Sequence, residues 1–335
     1  MLTGELYRKL PKVSNPADPS RGELSLLDLE DVIVADAFGG FRYLPRLFLA
    51  GLLAKARRTS DGAPVPEAIL KTINDAPWSV DFSFWPAWSV LSDFAWSGGN
   101  DLGGWSRVRS CEPDVVVATT QEALRNQRQG VLLVMEAKWI GSELGTDVSQ
   151  LAREYACGMK LAREMEASGC KVDFVLLTVT RRRRAPLVCE PLLAVDGQAI
   201  TGSSAKTILP HRQVSAYLEL VGRYFRPDLR EVLENWAAEA STRIWHASWQ
   251  DVGNAYSEGL EALRQAKQPV QGHPEFFCFE GVRRLAEEVA HSLLVRRDLV
   301  GFSGFEAIDQ LELDPALIDR PCLFFDCRST GRGDL

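Results

Sequence analysis

The stretch from Cys111 to Trp139 reads CEPDVVVATTQEALRNQRQGVLLVMEAKW, and its reading decides the fold. It contains two apolar runs, Val115–Ala118 and Val131–Met135. Runs of four or five aliphatic residues rich in Val mark buried central strands. Each run carries acidic chemistry at one end. Pro113-Asp114 leads into the first, and Glu136-Ala137-Lys138 leads out of the second. The intervening Thr119–Gly130 is polar enough for a solvated connection. Pairing the runs as a hairpin puts Asp114 and Glu136 at one edge of the sheet, since one strand is entered where the other is left. Lys138 lies two positions beyond Glu136, so strand alternation sends both side chains to the same face. Two carboxylates and an amine then converge, as they do at a metal site.

Outward from this stretch, Lys171–Thr180 contains FVLLTVT, a further buried strand, which ends in Arg181-Arg182-Arg183-Arg184. Four arginines on a sheet rim read as a solvated charge run or, beside an acidic metal site, as a clamp for phosphate. A helix is expected from Asp147, as N-cap, to Glu166, with Leu151, Tyr155, Met159 and Ala162 in its apolar stripe. Ser79–Trp85 alternates as a half-buried strand does. Upstream, helices are expected at Leu24–Ala37 and Tyr43–Arg58, with Pro45 tolerated in the first turn of the second. Downstream, Val214–Phe225, Asp228–Ala240, Asp251–Ala266 and Glu280–Leu294 read as helices, and Arg243–Trp249 as a short strand. His246 in that strand reads as a packed or surface histidine. The expected organisation is a loose arm over 1–22, an α/β domain over 23–268 with its core at about 66–195, and a helical extension over 269–335. The last boundary is marked by Pro269–Pro274.

Composition narrows the function. The chain has 335 residues, 46% of them hydrophobic and 25% charged, with a net charge of −7. A protein that binds nucleic acid by bulk charge is basic, so any such binding here relies on local patches. The seven cysteines are scattered without a CxxC pair, which reads as reduced thiols in a cytoplasmic protein without structural zinc. No apolar run is long enough to span a bilayer. No GxxxxGK, GxSxG or HExxH motif occurs, which sets aside an intrinsic ATPase and the common hydrolase and zinc-protease sites.

The order is helix, strand, strand opening at Pro-Asp, strand closing in Glu-x-Lys, helix, strand. With the residues EPDVVVA and VLLVMEAKW, this resembles the PD-(D/E)XK nuclease superfamily from about Ser79 to Arg184. More loosely, Arg243–Gln250 and the helix after it resemble the later strand-helix portion of some members. The resemblance implies a restriction-endonuclease-like α/β core, a mixed central sheet flanked by helices, with a more helical C-terminal region. It implies Mg²⁺ or Mn²⁺ held by Asp114, Glu136 and the backbone carbonyl of Ala137, a hard-oxygen set suited to those ions. Lys138 would orient the attacking water or stabilise the phosphate. Many members add an acidic residue from a preceding helix or strand. Glu67, Asp81 and Glu112 compete for that place, and Glu67 is preferred because it falls in a helical stretch. Some members also carry Gln, then Tyr four residues later, on the following helix. Here Gln150 and Tyr155 are five apart and do not share a face, so Gln150 is carried over as an active-site contact and Tyr155 is left to packing.

The function so implied is metal-dependent hydrolysis of phosphodiester bonds in DNA, with Arg181, Arg182, Arg183 and Arg184 on the nucleic-acid backbone. Because many members cut both strands as dimers, a homodimer is the expected assembly. A role in defence against phage or foreign DNA beside a partner subunit is an expectation at one further remove. Two rivals stand beside it. One is a catalytically silent nuclease-like scaffold or DNA-binding subunit, and the other is a nuclease acting on RNA.

Overall fold

A computed structural model describes residues 26–74, 80–88, 111–139, 150–167, 169–189, 193–195, 198–200, 207–266, 274–299 and 302–313. The chain divides into two compact units, one spanning 53–248 and the other built from 1–52 together with 249–335. The expected arm over 1–22 and the expected boundary near 268 both lie outside the described residues.

The chain enters through α1 (Leu26–Tyr43) and α2 (Leu47–Lys55). The helix expected over Tyr43–Arg58 is present as α2 but starts four residues later and ends three earlier. Pro45 falls in the gap, and the Arg46 guanidinium turns back to donate to the Phe41 carbonyl at 2.8 Å. That bond satisfies a carbonyl left open by the end of α1.

The unit over 53–248 is built on one six-stranded sheet. In chain order its elements are β1 (Arg57–Arg58), α3 (Glu67–Asn74), β2 (Val80–Phe84), β3 (Val115–Thr119), α4 (Gln121–Gln127), β4 (Gln129–Ala137), α5 (Gln150–Glu166) and β5 (Lys171–Thr180). Short strands follow at β6 (Val188–Cys189), β7 (Leu193–Val195), β8 (Gln198–Ile200) and β9 (Thr207–Ile208), with β6 paired to β9 and β7 to β8. Then come α6 (Pro210–Gly222), α7 (Pro227–Arg243) and β10 (Ile244–Ser248). The sheet order is β1-β10-β5-β4-β3-β2. The β4–β5 and β5–β10 pairs are parallel, and the others are antiparallel. This is an α/β architecture with a mixed, open sheet flanked by helices.

The two apolar runs of the opening stretch pair antiparallel, Val115 opposite Met135. The connection between them is more than a solvated loop. Thr120 caps the N-terminus of α4, its hydroxyl accepting from the Ala123 N–H at 3.2 Å. Arg128 ends the helix in a left-handed conformation, φ 54°. Gly130 then lets β4 begin close against that helix, because a Cβ there would lie 2.4 Å from Leu124 Cδ2.

Parallel neighbours need a crossover. α5 supplies it between β4 and β5, and α6 with α7 supply it between β5 and β10. These helices cover one sheet face. Val116, Leu132, Val134, Phe174, Leu176 and Ile244 point into that layer and pack with Leu151, Tyr155, Met159, Val214, Leu218 and Trp236. Each such aliphatic or aromatic side chain, fully buried, contributes about 1.5–3 kcal/mol. Tyr155 belongs to this packing. Its ring meets Phe174 at 5.5 Å, and its hydroxyl donates to the Trp236 carbonyl at 2.9 Å.

The other unit closes with α8 (Trp249–Gln265), α9 (Pro274–Leu299) and α10 (Glu306–Asp309). There Phe41 of α1 stacks on Tyr256 of α8, with ring centroids 5.1 Å apart, and Ser292 of α9 donates to buried Asp36. No helix among the described residues is long and apolar enough to cross a membrane. The apolar run Cys322–Phe325 lies outside the described residues.

Candidate active site

On the face covered by α5–α7, β4, β5 and β10 change character toward their C-terminal ends. The sheet register aligns Glu136 with Thr178 and Thr178 with His246. One alternation further, Thr180 is level with Ser248. Residues paired across neighbouring strands point to the same face. An apolar layer therefore gives way to a polar one within two residues on three adjacent strands, and all six of Glu136, Thr178, Thr180, His246, Ser248 and Asp114 are buried. Carboxyl ends of parallel strands are where open α/β sheets place their ligand sites.

Asp114 sits just outside the last β3–β4 pair, on the segment that enters β3. Its Oδ2 accepts from the Ala137 N–H at 2.8 Å, and its Oδ1 from the Trp85 indole at 3.3 Å. The Trp85 N–H also donates to the Asp114 carbonyl at 3.0 Å. Trp85 makes these contacts from a left-handed backbone, φ 45°, a conformation that costs a bulky residue about 1–3 kcal/mol. Ala137 turns its N–H away from β5, since the neighbouring Lys138 N–H is the one that donates to Val179. In a strand the carbonyl of a residue points the same way as its N–H, so the Ala137 carbonyl also faces the Asp114 side.

Glu136 is 2% exposed, and its Oε1 receives two donors: Lys138 Nζ at 2.8 Å and Gln150 Nε2 at 3.0 Å. Gln150 opens α5, and the same amide donates to Glu154 Oε1 at 3.0 Å. Glu154 is wholly buried. Burial pushes both carboxyls up to about 8, for Glu136 with the nearby Glu154 charge adding and Lys138 opposing. The Gln150 amide holds both carboxyls, and each feels the other, so a proton retained near neutrality belongs to the pair. Among the described residues, no donor reaches Glu136 Oε2 or Glu154 Oε2.

Asp114, Glu136, Lys138 and Gln150 thus come together. Glu67 does not join them in burial. It is exposed in the first turn of α3, as Asp81 is on β2 and Glu112 is ahead of β3. Sequence reasoning passed over Glu154, although it stands at i+4 from Gln150, the spacing at which helical side chains meet. It also gave Trp85 no role beyond closing a half-buried strand. Arg181 is half-buried and Arg182, Arg183 and Arg184 are exposed in the turn after β5. His246 is buried, with Nε2 2.9 Å from the Arg182 carbonyl. The expected N-cap of α5, Asp147, lies outside the described residues.

An open cleft of about 280 Å³ adjoins the pair, lined by Ala87, Cys111, Glu112, Gln150 and Arg153. The Cys111 thiol is buried close to Cys157, which holds it protonated and unreactive.

Among the described residues, no group of three or more His, Cys, Asp and Glu side chains is arranged to hold a metal ion. The donor set is narrower: two acidic side chains and one backbone carbonyl. It still fits a hard divalent cation, which binds through few carboxylates and keeps its waters. Buried carboxyls with Lys138 as the ammonium at hand, and two acid oxygens without a donor, leave an excess of acceptor capacity that a cation would satisfy. Comparison of the chain with protein-family models, with curated proteins and with solved structures gives no match.

Proposed function

We propose that this protein is a metal-dependent endonuclease that hydrolyses phosphodiester bonds in DNA. The observation that carries the reading is the meeting of Asp114, Glu136, Lys138 and Gln150 where the sheet face turns polar, with Glu136 Oε2 lacking a donor. Asp114, Glu136 and the Ala137 carbonyl are the groups that would hold Mg²⁺ or Mn²⁺. When bound, such an ion lowers the pKa of water and offsets negative charge on the phosphate.

The side chains of the chain have separate tasks around it. Trp85 and the Ala137 N–H fix the rotamer of Asp114. Gln150 holds Glu136 and Glu154 with one amide, so neither carboxyl can swing independently. Lys138 brings a positive charge to the face of Glu136, where a phosphoryl oxygen gathering charge would be stabilised by it. Glu154 is the buried acid nearest in role to the third carboxylate expected from the sequence. The arginines at 181–184 offer the nucleic-acid backbone contact. A homodimer that cuts both strands belongs to the same proposal, as does service beside a partner subunit in defence.

The test is a cleavage assay on matched DNA and RNA, single- and double-stranded, with Mg²⁺ or Mn²⁺ and with chelator. DNA cleavage should require the metal and disappear in Asp114→Ala, Glu136→Ala and Lys138→Ala. Cleavage that survives Lys138→Ala removes this mechanism, and cleavage of RNA alone moves the substrate. No cleavage, with no Mn²⁺ binding by calorimetry, would identify a silent scaffold.

A further inference from the structure

The turn Arg181–Arg184 is tied to the sheet through one buried side chain, and we propose that His246 is a positioning residue that holds this turn for the nucleic-acid backbone. The proposal rests on the nuclease reading above for its choice of ligand.

His246 is 3% exposed. Its Nε2 lies 2.9 Å from the Arg182 carbonyl, and because a carbonyl oxygen only accepts, Nε2 carries the hydrogen. Nδ1 lies 3.2 Å from Thr178 Oγ1, and the same hydroxyl lies 3.2 Å from the Trp245 carbonyl. Nε2 is thus bonded to the turn, while Nδ1 and the Trp245 carbonyl share the single hydrogen of the Thr178 hydroxyl on the sheet. Two residues earlier on the same face, β10 carries Ile244, packed into the apolar layer. An aliphatic side chain at 246 would fill the space without needing partners. What histidine adds is the bond to Arg182.

The register gives that bond a place. Glu136, Thr178 and His246 stand in one row across β4, β5 and β10. At about 4.8 Å between neighbouring strands, His246 lies about 10 Å from Glu136 along a rigid sheet. Charges recur every 3.4 Å of rise along each strand of a duplex, so the turn is held a few nucleotides from a phosphate at the carboxyls. The side chains of Arg182, Arg183 and Arg184 are exposed while the main chain under them is fixed. Binding a fixed turn loses less conformational freedom than binding a loose one, which raises affinity without adding a contact.

The test is binding of a fluorescently labelled 20-base-pair duplex to the full chain, by anisotropy, in chelator and over 50–200 mM salt. Each neutralised phosphate contributes about −0.9 to the slope of log affinity against log salt. Arg183→Gln with Arg184→Gln should flatten the slope by about two phosphates' worth. His246→Phe keeps a ring of similar size and loses both hydrogen bonds. It should flatten the slope similarly and weaken binding about tenfold at 100 mM salt. His246→Gln, whose amide can donate to the Arg182 carbonyl, should recover most of the loss. A packing role alone would lower the melting temperature and leave the slope where it was.

His246→Phe that melts like wild type and keeps the wild-type slope overturns the proposal, as does a wild-type chain that binds no duplex. Should His246→Phe not fold, His246→Leu, which fills the space without a donor, decides in its place: a flattened slope supports the proposal, and an unchanged one overturns it. A slope change in a chain that cleaves nothing with Mg²⁺ keeps the proposal and removes the nuclease reading. Cleavage with an unchanged slope does the reverse.

Discussion

On the helix-covered face of the sheet, one set of strands serves two different ends. Leu132, Val134, Phe174, Leu176 and Ile244 form an apolar layer, and two residues further along the same strands stand Glu136, Thr178 and His246. Both layers are buried to a similar degree. The apolar layer stabilises the unit by removing carbon from water. Among the described residues, the polar layer offers no hydrogen bond to buried Glu136 Oε2, Glu154 Oε2 and Thr180 Oγ1, each worth about 1–3 kcal/mol of lost solvation. The difference teaches that the first layer supports the second. A sheet selected for stability alone would have continued the aliphatic pattern to its end.

The largest way to break this comparison is to empty the apolar layer. Phe174→Ala should lower unfolding free energy by about 3–5 kcal/mol, seen as a reduced denaturation midpoint with unchanged slope. The converse, Gly158→Ala, should also destabilise, by about 1–3 kcal/mol, because the new Cβ would come 2.4 Å from Phe174 Cε2.

Glu136→Gln changes the polar layer with little change of shape. The proposed metal-dependent cleavage should fall by about 100-fold or more, while the melting temperature in chelator stays level or rises. A variant that loses activity and stability together would mean that Glu136 is structural.

Next in size is the response to pH. In the unfolded chain both glutamates titrate near 4.5, whereas in the folded chain burial raises both to about 8. Between those values the folded state holds protons that the unfolded state has released. Stability from the pair is therefore complete below about 4.5 and is lost as pH rises through 8. The expected loss is on the order of several kcal/mol, and Glu154→Gln should flatten the dependence. Thermal melts in chelator from pH 5 to 9 measure it, and stability that climbs over this range would contradict the assignment. The smallest effect is expected from Thr180→Val, which removes a buried hydroxyl without a hydrogen-bond partner. A gain of about 0.5–1 kcal/mol is expected; a loss of that size would show that the hydroxyl is satisfied in solution.

The apolar layer was the legible part of this molecule. VVVA, VLLVM and FVLLTVT announce β3, β4 and β5 because buried strands have no polar side to disguise them. Asp114, Glu136 and Lys138 were legible for the same reason, as charges interrupting an apolar run at its end. Glu154 was not, since a glutamate between Leu151 and Tyr155 looks like the solvated face of an amphipathic helix, and only the position of β4 shows that this face meets Glu136. α4 was hidden by its polarity, although Thr120 is a good N-cap. The pairing of β10 with β5 depends on a crossover through α6 and α7, which no local pattern records. The division near 52 and 248 was equally invisible, because it depends on which distant helices meet.

That division has a consequence in time. Asp36 and Ser292 are hydrogen-bonded across 256 positions of sequence, and the unit they belong to is assembled from both sides of the unit over 53–248. On a ribosome adding 5–20 residues per second, α1 would wait roughly 10–40 seconds for α8. In that interval Phe38 and Phe41, both buried in the finished molecule, have no α8 to cover them. The sheet-bearing unit is under no such delay, because every strand of its central sheet lies within one continuous segment. The order of synthesis thus lets the carboxylate-bearing sheet form first, and leaves the α1 segment as the part of a nascent chain most exposed to chaperones and proteases.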